Sequence, residues 1–85
     1  MTLEIFWTTR ANKKLGKIFD YLNENWGENT SNKFKTRINH IISLLSDFPD
    51  IGTLVFKERN IRGFIVTKQI SLFYKVTGNK LIILN

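Results

Sequence analysis

The 85-residue chain carries 13 Lys and Arg against 7 Asp and Glu, for a net charge of +6 at pH 7. This length holds one compact domain, which at about 60–65% of its unfolded surface buried is marginally stable alone. The lack of cysteine excludes disulfide staples and thiolate metal sites.

The opening "MTLEIFWTTR" has no basic-then-apolar signal pattern, and no apolar run approaches a membrane span. A cytoplasmic protein is expected. Leu3–Trp7 is rich in strand-forming residues and reads as a first strand. Thr8 and Thr9 then offer a hydroxyl to the unpaired N–H groups of a helix start. Ala11, Leu15, Ile18, Phe19, Leu22 and Trp26 follow at helical spacing. That pattern predicts an amphipathic helix ending near Asn25, with Gly27 as the turn. A second helix is expected from Glu28 to Asp47, with Phe34, Ile38, Ile41, Ile42 and Leu45 as its apolar stripe. Glu28 suits the positive end of that helix. Two such helices joined so briefly should pair antiparallel. Pro49 and Gly52 stop the second.

From Thr53 the apolar period changes to two. Thr53–Lys57, Ile61–Val66, Ile70–Val76 and Leu81–Leu84 read as strands separated by "ERN", "TKQ" and "TGNK". The fold expected is α+β, in the order β-α-α-β-β-β-β, with a helical hairpin on one face of a twisted antiparallel sheet. "LIILN" is apolar on both faces, as an internal strand should be, and its abrupt stop suggests a missing C-terminal tail.

The cations cluster. Arg10, Lys13, Lys14 and Lys17 crowd the first helix, and Lys57, Arg59 and Arg62 crowd a later segment. Such a field draws polyanions or an acidic protein, although surface lysines also serve solubility alone.

The stretches "ANKKLGKIFDYLNENWGENTSNKF", "IISLLSDFPDIG", "NIRGFIV", "ISLFYKV" and "KLIILN", with Leu45, Pro49, Gly52, Arg62 and Tyr74 at these intervals, carry a resemblance. The chain resembles the RelE/ParE superfamily of type II toxin–antitoxin toxins, on the ParE and plasmid-stabilisation side, over nearly its whole length. The resemblance implies a growth-inhibiting toxin neutralised by a cognate antitoxin in a toxin–antitoxin hetero-oligomer. It implies DNA gyrase as target for ParE-like members, and ribosome-bound mRNA, which they cleave, for RelE-like ones. RelE-type cleavage leans on a C-terminal tail that this sequence lacks after Asn85, which weighs against a nuclease. A decayed, non-toxic binding module is the third reading.

Arg62 has two expected roles. It pairs with Asp47, Asp50 or Glu58 and pins the sheet to the helical hairpin, or it lies on the open sheet face and grips a phosphate or carboxylate. Lys57, Arg59 and Lys75 are candidates to join it, and Lys13 and Lys17 to meet an antitoxin helix. Together these six are the expected target- or antitoxin-binding residues. Arg62 and Tyr74 are the weak catalytic candidates, with half-buried packing the more ordinary role for Tyr74. His40, alone and without cysteine, makes neither a metal site nor a triad. Trp7 and Trp26 read as core or hairpin-edge residues. No glycine-rich phosphate loop is present, so no cofactor is expected.

Overall fold

The computed structural model describes residues 3–85. Its elements in chain order are β1 (Glu4–Trp7), α1 (Thr9–Trp26), α2 (Glu28–Asp47), β2 (Thr53–Phe56), β3 (Ile61–Ile65), β4 (Ser71–Thr77) and β5 (Lys80–Ile83). Short 3-10 turns at Pro49–Ile51 and Lys57–Arg59 flank β2. The order is the one the sequence predicts. Lys57, expected at the end of a strand, instead begins the second turn, which Asn60 closes in the left-handed region at φ 56°.

Thr8 starts α1. Its hydroxyl accepts the Ala11 N–H at 3.2 Å and donates to the Ile83 carbonyl at 2.9 Å. One side chain therefore caps a helix and ties it to β5. Thr8→Ala is expected to lower stability by about 1–2 kcal/mol, while Thr8→Ser retains most of it. Urea denaturation of the two variants checks this, and equal losses would contradict it.

Only Gly27 separates the helices, at φ +91°, where a side chain would be strained. Its N–H closes α1 by donating to the Leu22 carbonyl at 3.0 Å. The hairpin that follows packs Phe19 against Phe34 edge to face, with ring centroids 5.5 Å apart. Ala11 from α1 and Phe34, Ile38, Ile41 and Leu45 from α2 are buried, with Leu15, Ile18, Phe19, Leu22 and Ile42 packed around them. Trp26 departs from its expected stripe. It sits in the last turn of α1 and is 66% exposed.

The five strands form one sheet in the order β1-β5-β4-β3-β2. The antiparallel arrangement expected from the sequence holds for β2–β3, β3–β4 and β4–β5. The exception is β1, which runs parallel to β5 with Ile5 opposite Leu81 and Trp7 opposite Ile83. A parallel pair needs a long connection, and both helices and three strands supply it here. The sheet is thus mixed, and β5 lies between two neighbours, as its two apolar faces demand. Leu72 and Tyr74 of β4 and Leu81 and Ile83 of β5 are buried with the helices. Phe6, Lys75, Ile82 and Ile61 alternate with that set and point to the other face.

Candidate functional site

Arg62 lies opposite Tyr74 across β3 and β4, on the helix-covered face. Its guanidinium donates to the Gly52 carbonyl at 2.8 Å and the Asp50 carbonyl at 3.2 Å, and it faces the Asp50 carboxylate at 3.8 Å. The Tyr74 hydroxyl donates to the Pro49 carbonyl at 2.6 Å and accepts the Gly52 N–H at 3.1 Å. Two strand side chains thus hold the turn that ends the helical hairpin. A Cβ on Gly52 would stand 2.9 Å from the Tyr74 ring, so glycine is required for this approach. Burial pushes the Tyr74 hydroxyl above the usual tyrosine range, against the opposing pulls of the Gly52 N–H and the Arg62 charge. Of the two roles expected for Arg62, the structure shows the pinning contact with Asp50. Its place on the open sheet face does not hold, because the register puts it in step with Tyr74.

On the flank of the hairpin, two adjoining hollows of about 560 and 960 Å³ form one groove. They share Ile18, Phe34, Gln69 and Ile70. The floor is apolar, with Leu15, Ile18 and Leu22 from α1 and Phe34 and Ile38 from α2. Lys14, Lys17, Lys33 and Arg37 line it, and no Asp or Glu side chain does. Tyr21 and Trp26, 58% and 66% exposed, stand at one end. Arg37 also donates from Nε to the Val66 carbonyl, which fixes its stem beside the β3–β4 connection. An apolar floor beneath a rim whose charged side chains are all cationic suits an amphipathic segment with acidic flanks.

The sequence model for the ParE toxin of the type II toxin–antitoxin system parDE matches residues 5–85. The chain belongs to the ParE toxin family. Among solved structures, a chain described as "Chromosomal ParDE TA system from P. aeruginosa" is similar, with a TM-score of 0.73 at 20% identity. The similarity covers 96% of this ParE-family chain and 90% of the other, and at that identity it speaks for the fold. No curated protein sequence matches the chain.

The structure does not gather the six expected binding residues of this ParE-family chain into one patch. Lys13 and Lys17 are exposed on α1, and of the two only Lys17 lines the groove. Lys57 and Arg59 are exposed in the turn between β2 and β3. Lys75 is half-buried on the open face of β4, and Arg62 on the covered face of β3. His40 is exposed on α2, and Trp7 is half-buried against the core. Sequence reasoning missed Tyr21, Lys33 and Arg37. The spacing of Lys33 and Arg37, one helical turn apart and flanking Phe34, was the available signal. Among the described residues, no group of three His, Cys, Asp or Glu side chains could hold a metal ion. No described helix is long and apolar enough to cross a membrane.

Proposed function

We propose that this ParE-family toxin arrests growth by binding a protein target such as DNA gyrase, and that a cognate acidic antitoxin neutralises it by filling the helix-flank groove. The observation that carries this reading is the groove itself, an apolar floor under Lys14, Lys17, Lys33 and Arg37 with no carboxylate side chain. A partly disordered antitoxin segment would be steered by the cations and held by apolar burial. The pair would act in the cytoplasm, as a plasmid-stabilisation module would. On this reading Arg62 and Tyr74 are structural, since Arg62 Nη1 and the Tyr74 hydroxyl bond backbone groups of the 49–52 turn.

Two measurements test the proposal. The purified chain should inhibit gyrase supercoiling and leave ribosome-bound mRNA intact. Clear mRNA cleavage, abolished in Tyr74→Phe, would replace this reading with the nuclease one. Lys17→Glu combined with Lys33→Glu should weaken binding of the acidic protein encoded beside the toxin gene by about 30- to 100-fold at low salt. Growth arrest by that double variant would then escape relief by the antitoxin. Unchanged affinity in calorimetry would remove the groove from the account.

A further inference from the structure

The sheet face turned away from the helices carries one row that crosses all five strands. Phe6 stands opposite Ile82, Ile82 opposite Lys75, Lys75 opposite Ile61, and Ile61 opposite Phe56. At the spacing of neighbouring strands the row is about 20 Å long. Four of its five positions are apolar, and Phe6 and Phe56 at its ends are 41% and 61% exposed. Lys75 sits at its centre, half-buried between two isoleucines, and makes no ion pair among the described residues. None of these five residues lines the groove.

We infer that this row is a second docking surface, for a protein segment that presents one carboxylate between apolar side chains, with the carboxylate seated on Lys75. The lysine stem packs along the isoleucines and lifts the ammonium to the surface. A carboxylate arriving with apolar neighbours would exclude water from that ammonium, which strengthens their attraction. A second copy of the chain does not fit. Two-fold packing centred on this row would bring the two Lys75 ammonium groups together between two bodies of charge +6. A nucleic acid fits poorly as well, since backbone binding draws on several cations and the row offers Lys75 alone at its centre, with the Lys80 ammonium at one end already seated over the Phe6 ring at 4.8 Å.

The inference stands on this geometry and is independent of antitoxin binding in the groove. Its test is a titration of the isotope-labelled chain, followed by NMR, with a nonapeptide whose centre reads Val-Phe-Glu-Ile-Val between serine and threonine flanks. The same peptide with glutamine in place of glutamate and a ten-residue oligothymidylate are the competitors. The expected result is saturable change at Phe6, Ile61, Lys75 and Ile82, with the glutamate peptide bound about tenfold tighter than the glutamine one. In Lys75→Met, which keeps the stem's volume and whose fold is read from the same spectra, that preference should vanish. Equal affinity for the two peptides, no binding, changes confined to the groove, tighter binding of the oligonucleotide, or self-association through the row would each overturn it.

Discussion

Tyr74→Ala is expected to cost about 3–5 kcal/mol, the loss typical of a large aromatic side chain removed from a core. A domain of this length has roughly 4–13 kcal/mol in all, so the loss removes a large share of it and should lower the melting temperature by about 12–40 °C. The ring is fully buried at the junction of sheet and helical hairpin, and its hydroxyl serves both Pro49 and Gly52. Tyr74→Phe separates the two contributions. It keeps the ring and strands one carbonyl and one N–H, for about 1–2 kcal/mol. It also changes the response to alkali. Burial raises the hydroxyl's folded-state pKa above the ordinary value of 10.0, so the unfolded chain loses this proton first. The associated stability is intact below pH 10 and falls as pH climbs through the unfolded value towards the higher folded one. The wild-type chain should therefore lose more stability between pH 9 and 11 than Tyr74→Phe does, the lysines contributing alike to both. Urea midpoints that fall in parallel across that range would show that the phenol titrates alike in the folded and unfolded chain, and so is not held in a desolvated site.

Arg62→Ala is the second large effect, at about 1.5–3 kcal/mol, as expected for charge-assisted bonds to backbone carbonyls. Its two bonds to Asp50 and Gly52 carbonyls do most of this, because the Asp50 carboxylate is 93% exposed and 3.8 Å away. Two results follow. The loss should be nearly the same in 50 mM and 500 mM salt, and Arg62→Lys should recover only part of it. Both carbonyls are reached by one guanidinium nitrogen, Nη1, whose planar position a lysine ammonium does not reproduce, and the second nitrogen facing Asp50 is lost. Lys13→Ala, on an exposed helix face, should stay within about 0.5 kcal/mol. Equal melting temperatures for Arg62→Ala and Lys13→Ala would contradict the role given to Arg62.

Much of the architecture was legible because periodicity reports local structure directly. The Ala11–Leu22 and Phe34–Leu45 stripes, the stop at Pro49 and the alternation after Thr53 each map onto an observed element. What the sequence does not encode locally is pairing. Nothing in Leu3–Trp7 says which strand it joins or in which direction, and its parallel seat beside β5 depends on where two helices return the chain. Register has the same character. The alternation Ile61-Arg62-Gly63-Phe64 places Arg62 with Phe64, but only pairing with Tyr74 shows which face the helices cover. Asp50 as partner was legible, being one of three carboxylates near enough in sequence. The groove was not, because Lys17 and the pair Lys33 and Arg37 lie on different helices, and each looks like an ordinary solvated face until the hairpin closes. Trp26 fits the helical repeat yet falls at the last turn of α1, where it is left exposed beside the groove.

The bond between Thr8 and the Ile83 carbonyl joins residues 75 positions apart. Closing so long a loop is entropically slow, whereas the helical hairpin and the β2 to β5 meander assemble from near neighbours. β1 is therefore expected to dock late in folding and to leave early when the molecule opens. Until it docks, one edge of β5 stands bare on a strand that is apolar on both faces, the kind of edge that recruits other chains. Four residues, Glu4 to Trp7, thus cover the edge through which an opened molecule would pair with another.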